Sequence, residues 1–520
     1  MNKPSRVLTW LILLGAFYLG FAAGTSRLWD YDLWWHLRTG QQILATGAIP
    51  HVDPFSWTRP GAPWITHEWG WEVLLFAVYQ YAGLLGIIYL KATLCGLCAA
   101  LGAGLALRWG AGVLPALVST SLFTLALRPW VNARPAMLVV LYVLVMIHLM
   151  TSARQGRARV LWWLPLLFLC WANTHGTFLI GWMQLAVFGF CSVFQPESGS
   201  DLRRCLCRPS LAPLRPLILP GLASVAVCLL NPSGVSGFLY PFSYLLGENS
   251  YHAQIIAEYA SPDFHNAAFL GVEVLMIFTL VAVMVSPLAP TLWEGVLLTL
   301  GLYLFLKWSR NGPLLAVFCL PIAARHLTAR LRVSAGAWLA QDFSDVPPLS
   351  PAFRLLAAAV LLATLVLLAP KDPRDSATVA DNMVPVRAVE VISLNGMQGP
   401  MFNSYDWGGY LLWKLWPRYQ VYIDGRADMY GTDLLREANK ILRLQAGWRE
   451  ALQQRHIEWL LLHADAPLAV VLEGEDEYAP LYQDDLAVLL VRRGGVNQAL
   501  LDAAEHKKLK LPPTPAPSAE

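Results

Sequence analysis

From about residue 8 to residue 26 the chain is almost purely apolar. Similar runs return near 84–107, 112–127, 135–151, 160–174, 176–194, 215–231, 267–286, 288–306, 312–326 and 353–369. Each approaches the roughly 20 apolar residues that a helix needs to cross a bilayer. The pattern predicts a polytopic α-helical membrane protein with about 11–13 transmembrane helices, the higher number applying if 69–82 and other interfacial pieces also insert. The first run follows Lys3 and Arg6 as a signal peptide would. It has no small-x-small cleavage site and further spans follow, so it reads as an uncleaved first span.

The polar segments between the runs are unequal. Segment 27–83 is long and rich in Trp, His, Asp and Glu, and its stretch HEWGWEVLLFAVYQYAG predicts an interfacial amphipathic helix. Segment 232–266 is a second long loop. Beyond 370, strand-like runs VYI (421–423), WLLLHA (459–464) and LAVLLVRR (486–493) appear, with a helical pattern, LLREANKILRLQ (434–445), between the first two. Strand, helix, strand in that order predicts a small α/β domain. The domains are therefore a membrane domain over 1–370, an α/β domain over 371–500 and a disordered tail over 501–520, Pro-rich at its end.

Charge sets the orientation. The basic short loops TSARQGRAR (151–159), DLRRCLCRPSLAPLR (201–215) and RHLTARLR (325–332) belong on the cytoplasmic side. That leaves 27–83, 128–134, 232–266 and everything beyond 370 outside, so the α/β domain is extracytoplasmic. Only 14% of residues are charged against 56% hydrophobic, and soluble domains carry about 25% charged residues, which again points to the membrane. A net charge of +3 is too small and scattered for nucleic-acid binding. The eight cysteines lie in spans or in one basic loop, which excludes a disulfide framework outside the membrane. Cys95-x-x-Cys98 sits inside an apolar run without a second pair, so it reads as core packing rather than a zinc or redox site.

Ionisable groups near a membrane are costly, so clusters of them mark candidate chemistry. The first loop carries Asp30, Asp32, His36, Arg38, Asp53, His67, Glu68 and Glu72. In an extended or irregular segment Asp30 and Asp32 point toward one site, where they can bind a divalent cation or act as a general base. Trp34 and Trp35 read as interfacial anchors. His67-Glu68 begins H-E-x-x-H, but position 71 is Trp, so no metalloprotease motif results. On the same outer side stand Arg128, Asn132 and Arg134, Asn173 and His175, Glu258, and Lys307, Arg310 and Asn311. Arginines outside run against the usual charge bias and suit an anion, since the planar guanidinium binds two phosphate oxygens at once.

In this order the features resemble the GT-C glycosyltransferases, multi-span enzymes that use polyprenyl-phosphate-linked sugars, and among them the catalytic subunit of oligosaccharyltransferase. Four stretches carry the resemblance: DYDLWWHLRTGQQILATGAIPHVDPFSWTRPG, QIIAEYASPDF, KWSRNGPLLAVFCLPIA and FNSYDWGGYLLW. The resemblance implies a GT-C-like fold and a transferase of the bacterial inner membrane. It would use a polyprenyl-phosphate-linked sugar to glycosylate an unknown lipid, glycan or protein acceptor. Asp30, Asp32 and Glu258 would be catalytic. Arg310, Arg134 and His36 would hold the donor phosphate, and Asp406, Trp407, His67 and Glu68 the acceptor. No cofactor is certain; the candidate is a divalent cation, Mg or Mn, on Asp30 and Asp32, second to their catalytic role. LRPWVNARP (127–135) lacks the acid of the family's second outer loop, and YDWGG departs from W-W-D-Y-G. The chain also resembles bacterial membrane proteins with D-x-D-x-W-W-H-L and D-G-R motifs. In VYIDGRADMYG (421–431), Asp424, Arg426 and Asp428 form either a structural turn with an internal ion pair or a binding site. The alternative to an enzyme is a transporter or non-catalytic assembly component for envelope glycans. Against it, no internal repeat is visible and the charges gather on one face.

Overall fold

The computed structural model describes residues 6–194, 209–245, 256–334 and 383–512. Its contacts divide them into two compact units. One holds residues 6–28, 78–245 and 256–334; the other holds Trp29–Ala77 and residues 383–512.

The protein is a polytopic helical membrane protein. Six helices are long and apolar enough to cross a membrane: Arg6–Gly24, Trp69–Arg108, Val113–Trp130, Ala136–Arg154, Ala267–Val285 and Ser309–Val333. Shorter apolar helices cover Ala158–Ala172, Phe178–Phe194 and Ala212–Val227, and Leu292–Lys307 is a further helix. Every predicted apolar run is thus helical except 353–369, which lies outside the described residues. One long loop is more ordered than its composition predicts, and in the other the helix expected from HEWGWEVLLFAVYQYAG is present. Gly234–Leu245 is a helix inside 232–266, and Trp69–Arg108 is helical on both sides of Gly83, whose φ of 60° and ψ of −156° break it.

Close packing in the first unit begins with small residues. Gly20 and Gly24, four apart, lie on one face of Arg6–Gly24. A Cβ at either would meet the main chain of Cys95 or Ala92 at under 3.0 Å. Cys95 and Cys98 are both buried in that contact region, as their packing role requires. The carboxylate of Glu294 is buried too, and it is neutralised in place. It caps its own helix through Thr291, whose backbone N–H donates to Oε2 at 2.7 Å. It also pairs with Arg325 and lies 3.8 Å from His326 Nε2.

The second unit is built on a four-stranded sheet, β1 (Met401–Asn403), β2 (Trp459–His463), β3 (Tyr478–Gln483) and β4 (Ala487–Arg492), in the order β1-β2-β4-β3. β1 and β2 are parallel; the other pairs are antiparallel. The interior strands read WLLLH and AVLLVR without alternation because helices cover them. Val386–Asn395, Pro467–Glu473 and Gln498–Glu505 pack on the sheet. The predicted 434–445 helix is present as Ala427–Leu442, with Leu434, Leu435, Ala438 and Ile441 buried along one face. The predicted strand 421–423 is corrected: VYI is buried, but it makes only a single bridge, Val421 to Ser56. Two other strands were not visible in the pattern. β1 is only three residues long, and β3 carries Pro480 beside a register shift.

The partner of 421–423 is the first polar loop. Trp57 N–H donates to the Val421 carbonyl at 3.1 Å and Val421 N–H to Phe55 O at 3.3 Å. Trp57 Nε1 donates to Met401 O at 3.0 Å and Thr58 Oγ1 to Tyr422 O at 2.6 Å. At the centre lies Arg426, 2% exposed. Its Nε and Nη2 donate to Asp424 at 2.8 and 2.6 Å, and its Nη1 to Asp53 at 2.7 Å. Tyr430 Oη donates to Asp424 at 2.6 Å, and the guanidinium lies over the rings of Trp64 (4.7 Å) and Phe55 (5.0 Å). Burial opposes the charge on Arg426, but Asp424 foremost outweighs it, so the guanidinium stays protonated well above its ordinary range. The internal ion pair is therefore a fact of the fold. Asp53→Ala would leave that buried charge short of a partner, a loss of about 3–5 kcal/mol. The expected outcome is a lower thermal midpoint in detergent and faster proteolysis within 29–77, with membrane insertion unchanged; an unaltered midpoint would contradict it.

Candidate functional site

The two aspartates of DYDLWWHL lie in an irregular segment that turns into the helix Leu33–Thr46. Asp30 is 3% exposed, and its Oδ1 accepts the N–H of Asp32 at 3.1 Å. Asp32 stands at the N-cap of the helix Leu33–Thr46 without capping it through its side chain. A helix N-terminus favours a negative charge there. The tryptophans are corrected. Trp34 and Trp35 are buried rather than interfacial: Trp34 packs edge-on to Tyr410 at 5.1 Å, and Trp35 lies 3.7 Å from the His36 ring.

One helical turn past Asp32, His36 enters a chain of acids and bases. Its Nδ1 is 3.5 Å from Glu72 Oε1 and its Nε2 3.9 Å from Glu68 Oε2, while His67 Nε2 is 3.6 Å from Glu68 Oε1. Glu72 is 1% exposed, and neither of its oxygens accepts a hydrogen bond. The sequence counted Glu72 among the loop acids but gave it no role.

The YDWGG stretch meets the same unit. Trp407 is fully buried and donates through Nε1 to Met383 O at 3.0 Å, so its side chain serves the core. Asp406 is half-exposed and lies 4.0 Å from His463 Nε2. His463 stacks on Trp407 at 3.9 Å, a contact made by the far end of β2. Burial raises the Asp406 carboxyl, with His463 pulling it back. Burial, then Asp32, push the Tyr405 phenol well above 10, so it stays a neutral donor; it reaches Gly425 O at 3.4 Å.

In the membrane unit, Arg134 Nη1 donates to Glu258 Oε1 at 3.0 Å. Ser309 N–H donates to Ala260 O at 2.9 Å, and Ser309 Oγ to Glu258 O at 3.1 Å. This ties Glu258 and Ala260 to Ser309, so Arg310 lies 4.6 Å over the Tyr259 ring, which stacks on Tyr244 at 6.3 Å. Of the predicted residues, Glu258, Arg134 and Arg310 thus share one cluster, and Asp30, Asp32, His36, His67, Glu68, Asp406 and Trp407 share the other unit. The tyrosines were missed because an aromatic next to an apolar run carries no signal until its stacking partner is known.

A divalent cation needs several oxygen or nitrogen ligands converging on one point. Among the described residues no three of His, Cys, Asp and Glu are grouped as such a site requires. Asp30 moreover spends one oxygen on the Asp32 N–H. Among the described residues, then, the donor set does not gather as a metal site would.

No protein-family model matches the chain, and no curated protein matches it in sequence. Solved structures do. The archaeal oligosaccharyltransferase AglB from Archaeoglobus fulgidus, in complex with an inhibitory peptide and a dolichol-phosphate, is similar over 88% of this chain and 69% of that one, at 11% identity and a TM-score of 0.63. An oligosaccharyltransferase of the same organism, tethered with an acceptor peptide containing the NVT sequon, is similar over 89% and 70%, at 11% identity and 0.63. One in complex with Zn and sulfate is similar over 87% and 68%, at 11% identity and 0.53. The chain therefore shares its fold, at low sequence identity, with these oligosaccharyltransferase structures.

His463 makes the second unit sensitive to acid. Burial lowers it from its ordinary 6.5, ahead of the opposing pull of Asp406 and Asp465. The unfolded chain takes up that proton at higher pH than the folded one, so this contribution is full above the unfolded value and lost as pH falls through the folded one. The thermal midpoint of His463→Gln should fall less than that of the wild type between about pH 8 and pH 5. Equal losses in the two proteins would refute this.

Proposed function

We propose that the protein is a glycosyltransferase that uses a polyprenyl-phosphate-linked sugar at the outer face of the bacterial inner membrane to glycosylate a lipid, glycan or protein acceptor. The observation that carries this reading is the membrane-unit cluster in which Glu258 pairs with Arg134 and Arg310 is held over Tyr259. It occurs in a fold shared with an enzyme solved with a dolichol-phosphate.

In the reaction the acceptor heteroatom bonds to the anomeric carbon as the bond from that carbon to phosphate oxygen breaks. Polyprenyl phosphate leaves with the bonding electrons, and the acceptor proton passes to a carboxylate. Asp32 is the carboxylate proposed for that proton, on the acceptor hydroxyl or amide, with Asp30 fixing the turn that presents it. Arg310 and Arg134 neutralise the charge that develops on the leaving phosphate, which in such catalysis is usually the largest single term. Glu258 holds Arg134 in place. His36, buried between Glu68 and Glu72, is proposed as a further donor to phosphate, and Asp406, His67 and Glu68 as acceptor contacts.

A strain lacking the protein should accumulate the donor lipid and lose one surface glycan, which identifies both substrates together. General-base loss costs about 10²–10⁴-fold, so Asp32→Asn should fail to restore that glycan while inserting normally. Asp30→Asn should also be impaired, through the turn. Full restoration by Asp32→Asn would sink the assignment of Asp32 as the base, and full restoration by the double variant as well would remove both carboxylates from the reaction. A second expectation concerns Tyr259. Tyr259→Leu removes the ring under Arg310 and should slow transfer about fivefold or more, given roughly 1–2 kcal/mol for a desolvated cation–π contact, whereas Tyr259→Phe should restore it.

A further inference from the structure

We propose that the Asp424-Gly425-Arg426 turn is the element that positions the Asp32 carboxylate, an inference that rests on the catalytic reading of Asp32 given above. Asp32 sits at a helix N-cap yet does not bond to its own helix through its side chain. Its place is set from the other side. A Cβ built on Gly425 would lie under 3.0 Å from Asp32 Oδ1, 2.8 Å from Trp35 Nε1 and 3.2 Å from Asp32 Cγ. The carboxylate and the indole N–H therefore close on the one spot where residue 425 has no side chain. Trp35 is 7% exposed, and its Nε1 has no hydrogen-bond partner.

The turn is stiff because both flanking side chains are locked. Asp424 is fully buried and receives Arg426 through its Nε and Nη2, the Arg426 N–H and the Tyr430 hydroxyl. Arg426 is held in addition by Asp53. From behind, Tyr405 Oη donates to Gly425 O at 3.4 Å. Gly409 admits the Tyr31 and Trp35 backbone at 3.1 and 3.3 Å from its absent Cβ. A carboxylate held this way reaches its substrate without first losing rotamer freedom, and displacement of a reacting group by about 1 Å costs on the order of 10²-fold. The glycine is thus a positioning residue, and the buried arginine sets its rigidity.

Two measurements test this. In Asp32→Cys/Gly425→Cys, copper–phenanthroline oxidation of membranes should form a disulfide, seen as two fewer maleimide–polyethylene glycol additions than after reduction. This readout is independent of catalysis. In the deletion strain, Gly425→Ala should restore the missing glycan about 10²-fold less well than wild type. The purified variant should still be stabilised against heat by undecaprenyl phosphate, which a general folding defect would abolish. If Gly425→Ala does not fold, Arg426→Lys takes its place, since it keeps the charge but loses the planar fork; partial restoration is expected. A cysteine pair that stays reduced overturns the proposal. So does wild-type restoration by Gly425→Ala, or by Arg426→Lys in its stead, alongside failure of Asp32→Asn, while the functional reading stands. Wild-type restoration by Asp32→Asn overturns both.

Discussion

The second unit depends on the burial of one guanidinium. Arg426 sits between Asp424 and Asp53, residues 373 positions apart in its longer pairing, and is roofed by Trp64 and Phe55. A charge of this size without partners would cost several kcal/mol to bury, so the pairing is an all-or-none commitment: either the first polar loop docks on the turn after 421–423, or neither segment is stable there. The short main-chain ladder between Phe55, Trp57 and Val421 follows from that docking. So does the edge-on packing of Trp416 on Phe55 at 5.7 Å. The first loop is a structural part of the C-terminal unit, although more than 300 residues separate them.

A similar economy governs the membrane unit. Its ionisable groups in apolar helices are paired where they stand: Glu294 with Arg325, and Lys91 with the Ser26 carbonyl at 2.7 Å. The pair Arg134 and Glu258 is less enclosed, at 28% and 42% side-chain exposure. Arg310 lies over the aromatic face of Tyr259, with the Glu258 carboxylate among the charges that act on it.

The helical membrane fold was legible in the sequence because crossing a bilayer demands long apolar runs, and runs of that kind survive inspection without any partner. The placement of β2, β4 and the 427–442 helix was legible for a similar reason, since each carries its own period or its own continuous hydrophobicity. VYI failed as a strand because its β-branched, buried residues satisfy a loop instead of a sheet, and no local signal distinguishes the two. DYDLWWHL was legible as a place of interest but not in its geometry. Its tryptophans look alike whether they face lipid or a domain core, and the choice is made by Tyr410 and the C-terminal unit.

The sequence by itself therefore determined the class of the protein, its apolar helices, its polar C-terminal region and the stretches where charge gathers, because these depend on residues close together in the chain. Only the tertiary structure decided that Asp30 holds a turn while Asp32 stands at a helix start, that Glu258 takes Arg134, and that Gly425 faces Asp32. Those are contacts between segments tens to hundreds of residues apart. The free energy of a buried charge or an absent Cβ is fixed by the neighbour it meets, and the neighbour is known only once the chain has folded.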